Sequence, residues 1–337
     1  MNKLFNTRKS ILFTLAAVLL SALFYTYFSY NKITPAYYIY QPINARIQVM
    51  DNYVKSFDGY LAQSMEISAY TALESIYEER SSTGIFFADK IEFDNMFAEC
   101  VKCGIDCATV PDECSHMTAT DIEGFIRNMT EIAKNRLNLK TIYEVNSVQV
   151  KQSWPFEVEV SLNITYYVTD LSRSFLSDNF ASWNSTKIIT RSVSIIGLKD
   201  PLLGISTAKG YERDINLSSI CAYNESCWNI TSAKLFYDSN SYHFSVEGTG
   251  YIQRFWNDSS NSPCCGIESF LNIGEASGNN SYVDHYYYTG NYTCSPIGGN
   301  KVKIIQFDNI DTGFKLDEET AVRYNILDDG ELICQYP

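Results

Sequence analysis

Eighteen consecutive residues near the amino terminus, Ile11–Phe28 (ILFTLAAVLLSALFYTYF), carry no charge, and Lys3, Arg8 and Lys9 lead into them. A helix of this length just spans the roughly 30 Å hydrocarbon core of a bilayer. The run exceeds the 7–15 apolar residues usual in a cleaved secretory signal, and no small-x-small site follows it. Aromatic residues follow instead (Phe24, Tyr25, Tyr27, Phe28, Tyr30), as suits a membrane–water interface, and the flanking cations orient the amino terminus inward. The expectation is a cytoplasmic leader at 1–10, a retained single-span anchor at 11–30, and the rest of the chain outside the cell.

Four of the 26 basic residues and none of the 39 acids lie in the first 32 positions, so the remainder carries a net charge of −17 against −13 for the whole chain. Such a body repels phosphate backbones, which argues against nucleic acid as a partner. All ten cysteines follow the apolar run, at Cys100, Cys103, Cys107, Cys114, Cys221, Cys227, Cys264, Cys265, Cys294 and Cys334. An even number on the exported side reads as a disulfide framework. The cluster C-x2-C-x3-C-x6-C with His116 beyond it would suggest zinc in the cytosol. Outside the membrane it reads as two local disulfides stapling a loop over 85–117. Cys264 and Cys265 are expected to pair with different distant cysteines rather than with each other.

Nine N-x-S/T sequons stand at Asn128, Asn163, Asn184, Asn216, Asn224, Asn229, Asn257, Asn279 and Asn291, where composition alone gives about four. They are candidate glycosylation sites and point to the same compartment as the anchor and the cysteines.

Beyond Pro35 and Pro42, the residues Ile43, Ile47, Met50, Val54, Phe57, Leu61 and Met65 recur every three to four positions. This predicts a long amphipathic stalk helix over 43–80, extended less cleanly through Ala69, Ala72 and Ile76. The weak flanking charge pattern favours packing along its own head over a seam for another chain. Thr120-Asp-Ile-Glu123 has the spacing of a capping box, with Ile122, Ile126, Met129, Ala133 and Leu137 on one face of the helix to follow. Phe156–Val168 alternates strictly, which predicts a strand with Asn163 on its wet face. Thr141–Lys151 and Lys187–Ile196 flank it as further strands. A helix-plus-sheet head over 118–200 follows.

Over 201–337 the reading is a glycosylated, β-rich continuation. It starts as polar loop to about 232, with strands at Lys234–Tyr237, Tyr242–Val246, Tyr282–Tyr288 and Lys301–Phe307. Asp317 caps a short helix over Glu318–Tyr324. The fold class is α+β: helices on a mainly antiparallel, disulfide-stapled sheet.

No catalytic motif, metal site or cofactor motif emerges. His116, His243 and His285 have no neighbours that complete one. Gly204–Ala208 meets a nucleophile elbow at two positions only. Asp308, Gly313 and Glu319 fit positions 1, 6 and 12 of a calcium loop, but Ile310 and Thr312 stand where ligands belong.

A basic leader, an apolar helix and an amphipathic helix running into a β-rich head resemble type IV pilin-like proteins. The chain looks closest to the membrane-anchored, pilin-like surface proteins of archaea, through RIQVMDNYVKSFDGYLAQSMEISAYTALESI (46–76), SIIGLKDPLL (194–203), CGIESFLN (265–272) and FKLDEETAVRYNI (314–326). That family carries no assigned activity. Arg8-Lys9-Ser10 replaces the small residue of a prepilin cleavage site, and no acid lies in the apolar run. The resemblance therefore implies an anchored pilin-like protein more than a processed pilin. The expected function is non-enzymatic adhesion or partner contact at the cell surface, through the stalk helix or the head. Tyrosine, 25 residues of it, suits such surfaces. The alternatives are a minor or initiating subunit of a pilus-like filament, and an exported enzyme or binding receptor.

Overall fold

The computed structural model describes residues 18–26, 41–104, 114–117, 120–171, 181–221, 225–272, 274–276, 278–290, 292–293, 300–301 and 303–334. The leader, Pro35 and half of the apolar run lie outside them. Residues 18–26 are helical, and among the described residues no helix is long and apolar enough to cross a membrane.

Helix α1 runs from Gln41 to Thr83, 43 residues, or about 65 Å at 1.5 Å per residue. It starts before Pro42, because a proline in the first turn removes only an amide that has no helical partner there. Met50, Val54, Phe57, Leu61, Met65, Ala69, Ala72 and Ile76 are all buried. Ile47 departs from the expected stripe and is exposed. The helix runs three residues past its expected end at 80, and in its last turn Ser82 Oγ donates back to the Glu79 carbonyl at 2.7 Å. Gly84, at φ 70°, then ends the helix by donating its amide to the Arg80 carbonyl.

The expected cysteine-rich loop is helical over Lys90–Cys103 (α2), with Asp89 as its N-cap. Phe93, Phe97, Cys100 and Val101 are its buried face, a helical spacing that the cysteine pattern overlies. Helix α3, Ile122–Leu137, buries Ile122, Ile126, Met129 and Ala133 as expected. Its cap is Asp121, whose Oδ1 accepts the Gly124 amide at 2.7 Å, and not Thr120.

Strands β1 (Leu139–Trp154), β2 (Glu157–Asp170) and β3 (Ser182–Ser194) form one sheet in chain order. On β2 one face, Val158, Val160, Leu162, Ile164, Tyr166 and Val168, is buried, while the other stays partly or fully open. Beyond it come α4 (Pro201–Ser206), α5 (Ile230–Ser239), β4 (His243–Gly250), β5 (Gly266–Glu268), α6 (Asp284–Thr289), β6 (Tyr292–Thr293), β7 (Asn300–Lys301), β8 (Ile304–Gln306), β9 (Lys315–Asp317), α7 (Glu318–Arg323) and β10 (Glu331–Cys334). β4 and β5 are antiparallel, as is the sheet β10-β8-β9, whereas β6 and β7 run parallel.

Two expected strands are helices here. Lys234–Tyr237 lies in α5, which starts at a capping box of Asn229 and Ser232. Tyr282–Tyr288 falls largely in α6. The polar stretch 201–232 likewise holds α4 and the start of α5. Short apolar runs do not separate helix from strand by periodicity, so local caps and packing decide. Asp317 caps α7 as expected, accepting the Thr320 amide at 2.8 Å.

Internal contacts divide the chain into two compact units: Met1–Tyr60 with Asn128–Tyr143 and Tyr166–Ser185, and Leu61–Arg127 with Glu144–Thr165 and Thr186–Pro337. In the first, the Tyr53 hydroxyl meets Thr141 Oγ1 at 2.8 Å, Tyr166 donates to Asp58 at 2.7 Å, and Arg46 bonds Asp170 at 2.9 and 2.6 Å. In the second, Ser68 donates to the Thr120 carbonyl and the His116 amide to Ser75 Oγ. The second unit also holds an aromatic core in which Trp228, Phe236, Phe270 and Tyr324 pack mostly edge-on or tilted with centroids 4.5–6.4 Å apart.

Candidate functional site

The densest group of ionisable side chains is a chain of buried ion pairs in the second unit. Asp200 precedes Pro201 and caps α4, its Oδ1 accepting the Leu202 amide at 2.9 Å. Its Oδ2 takes the Tyr242 hydroxyl at 2.7 Å and Arg254 Nη1 at 2.8 Å. Arg254 sits on a 3-10 turn, Ile252–Trp256, and is fully buried. The same Nη1 reaches Asp284 Oδ2 at 2.8 Å, and Nη2 donates to the Ile267 carbonyl at 2.5 Å. Asp284, the first residue of α6, accepts the His285 amide and Nδ1 on Oδ1 and Ser269 Oγ on Oδ2. Arg213 Nη1 bonds Ser269 Oγ at 3.1 Å and the Phe270 carbonyl at 2.9 Å, while Nη2 pairs with Glu275 at 2.5 Å.

A second knot centres on Glu268 of β5. Its Oε1 accepts the Tyr324 hydroxyl at 2.5 Å and lies 3.3 Å from His243 Nε2, and its Oε2 accepts Arg323 Nη1 at 2.9 Å. Arg323 also donates to Ser245 Oγ at 2.6 Å.

Burial by itself raises a carboxyl pKa, but the Arg254 guanidinium outweighs it and holds Asp284 well below the carboxylate range. Glu268 is likewise pulled well below its usual value against burial by Arg323, with help from His243. Burial opposes the charge on Arg254 too, and Asp200 and Asp284 together keep it firmly cationic. Tyr242 and Tyr324 are raised by burial first and by the neighbouring carboxylates Asp200 and Glu268 next, so both stay neutral donors.

These groups bind one another instead of presenting themselves to a substrate. Asp200, Arg254, Glu268, Asp284 and His285 are all at most 1% exposed. Ser269 Oγ donates to Asp284 at 3.1 Å and accepts Arg213 Nη1, and the carboxylate it meets is a weak base because Arg254 holds it ionised. His285 Nε2 and Arg254 Nε are buried with no hydrogen-bond partner among the described residues. The arrangement ties α4, α6, β5 and the 3-10 turn together through ion pairs and hydrogen bonds buried away from water.

The other chemistry-bearing residues are spent locally. Cys100–Cys114 and Cys221–Cys227 are disulfides, and Cys103 is disulfide-bonded as well. Cys264 bonds its neighbour Cys265, which overturns the expectation of two distant partners. Cys265 is buried, with the Gln152 side chain donating to its carbonyl at 3.2 Å. Cys107 and Cys294, and the side chain of Cys334, lie outside the described residues, among which no cysteine is free.

Ser206 is the exposed last residue of α4, and a Cβ on Gly204 would run into the Tyr77 ring, so that glycine serves close packing. Asp308 Oδ1 accepts the Gly313 amide at 2.9 Å and Gln306 Nε2 at 2.8 Å, closing its own turn, and Ile310 is buried. Among the described residues no group of three His, Cys, Asp or Glu could hold a metal.

Of the sequon asparagines, Asn128, Asn184, Asn216, Asn229, Asn257 and Asn279 are exposed and Asn163 is half-buried; Asn224 and Asn291 lie outside the described residues. In the first unit, Leu19 and Leu23 share an apolar groove with Val49 of α1 and Met129 and Ile132 of α3.

Sequence reasoning missed the ionic network. Asp200 before Pro201 was a legible signal, since that pair marks a helix start. Arg254 and Glu268 carried none, because their partners are 13 or more residues away, and of the contacts of Asp284 only the one to the adjacent His285 is local.

No protein-family model, curated protein or solved structure matches the chain.

Proposed function

We propose that this chain is a single-span, pilin-like protein of the cell surface, anchored by Ile11–Phe28 with its amino terminus inside, whose exported head makes adhesive or partner contacts and does no catalysis. The observation that carries the reading is the state of residues 18–26. They are helical, yet Val18, Leu20, Phe24 and Tyr25 are 53–64% exposed. Large apolar side chains bare along one short helix are costly in water and at home in a bilayer. The bonded cysteines and the exposed sequons support an oxidising, extracytoplasmic location. The sealed ionic network supports a binding role over a catalytic one.

A membrane-impermeant biotin reagent applied to intact cells tests the topology. Labelled head lysines in a full-length protein that leaves the membrane only with detergent are expected, and deletion of residues 11–28 is expected to abolish that labelling. Recovery in the cytosolic fraction with alkylatable thiols overturns the proposal. Co-purification from native membranes then identifies the contact partner.

A second reading, a minor or initiating filament subunit, is favoured by the 43-residue length of α1. Shearing cells separates the two: appearance in the sheared filament fraction selects the second, and retention in membranes the first.

A further inference from the structure

The open face of the β1-β2-β3 sheet carries two of the sequons in settings unlike those of the loops. Ser161 Oγ meets Thr190 Oγ1 at 3.0 Å, and Thr165 Oγ1 meets Thr186 Oγ1 at 3.0 Å. These pairs run antiparallel. Continued at the strand period of two, they set Asn163 opposite Ile188 and Asn184 opposite Tyr167, all on that face. Each sequon asparagine therefore has a large apolar neighbour directly across the strand pair.

Around Asn163 the face is hydroxyl and amide (Asn146, Ser161, Thr165, Thr186, Thr190), yet Ile188 stands 72% exposed among them; Tyr167, beside Asn184, is 41% exposed. An isoleucine that bare on a polar strand face leaves most of its apolar surface uncovered by the described chain. A sugar ring supplies the missing cover, because its C–H face packs on an aliphatic or aromatic side chain while its hydroxyls stay in water. Asn146 Nδ2 donates to Asn163 Oδ1 at 3.1 Å, which aims the asparagine while leaving its Nδ2, the atom a glycan is built on, without a partner among the described residues.

We infer that Asn163 and Asn184 are N-glycosylated and that the first sugar of each glycan lies on the apolar side chain across from it, Ile188 and Tyr167 respectively. The inference rests on the exported reading above. The donor is a lipid-phosphate- or lipid-pyrophosphate-linked oligosaccharide. Asparagine Nδ2 forms the new N–C bond at the sugar C1, the C1–O bond to phosphate breaks, the lipid phosphate leaves with that electron pair, and the amide gives up one proton. The glycans then cover this open sheet face, and direct partner contacts to the other surfaces of the head.

The test is glycopeptide mass spectrometry on the full chain purified from its native membranes, followed by thermal unfolding of the same material. Glycan is expected at both Asn163 and Asn184. The N163Q and N184Q variants are expected to lose that mass and each to lower Tm by about 2–4 °C. I188S and Y167S, which leave both sequons intact, are expected to keep full occupancy and show the same drop.

Bare Asn163 and Asn184 in a protein glycosylated at Asn216 and Asn257 overturn the inference and leave the exported reading standing. A chain bare at every sequon overturns both. Occupied sites whose contribution to Tm survives I188S and Y167S overturn the packing of sugar on those side chains.

Discussion

Arg254 is the residue on which the second unit turns, because one guanidinium pairs with two buried carboxylates on different elements. Removing one member of such a set leaves uncompensated charge in low dielectric, which costs about 3–5 kcal/mol. Arg254→Met is therefore expected to lower the unfolding free energy by that amount in urea denaturation, and a loss below about 1 kcal/mol would show the cluster to be relaxed or hydrated. The same groups set the pH dependence. Asp284 and Glu268 titrate below their unfolded values, so the folded state binds fewer protons than the unfolded chain near pH 4. Their contribution is complete above the unfolded carboxyl range and drains as pH falls through it toward the folded values. The urea midpoint is expected to hold between about pH 5 and 7 and to drop steadily below about pH 4.5. E268Q should flatten that drop, and a midpoint indifferent to acid would contradict the charge assignment.

At the scale of elements, α1 owes its length to burial more than to intrinsic helix preference. Its sequence includes β-branched, aromatic and hydroxyl residues that isolated helices tolerate poorly, and tertiary packing of one face offsets that. Phe57 is fully buried and meets Tyr166 edge-on at 5.0 Å. Truncating a buried phenylalanine costs about 3–5 kcal/mol through lost transfer energy and the cavity left behind. Phe57→Ala should fall in that range by chemical denaturation; a cost near zero would mean that the helix does not pack there in solution. The helix α2 illustrates the converse. Its apolar spacing was present at Phe93, Phe97, Cys100 and Val101, but two of its cysteines also fit a loop framework, and the disulfide reading took precedence.

For the whole molecule, covalent staples add to a core that is already extensive. The Cys100–Cys114 bridge closes a short loop, with a sequence separation of 14. Chain-entropy arguments give a loop of this size about 3 kcal/mol of stabilisation. The double variant C100A/C114A should lose about that much in denaturant, and a variant as stable as the parent would assign the bridge no thermodynamic role. The described bridges all join near neighbours in sequence, so they rigidify local segments and leave the long-range fold to packing.

Local order decided what could be read from the residues alone. Period two in Phe156–Val168 and period 3.6 in Ile122–Leu137 report directly on which face is buried, since side-chain direction follows backbone geometry. The α+β class, the long helix, the Asp317 cap and the oxidised cysteines were legible for that reason. Tertiary structure alone decided that Lys234–Tyr237 and Asp284–Tyr288 are helical, because such short apolar runs fit either period until neighbours choose. It alone paired Cys264 with Cys265, and it alone brought Asp200, Arg254 and Asp284 together over 30 to 54 residues of intervening chain. A periodic pattern is a property of one segment, whereas an ion pair between distant residues is a property of how segments pack.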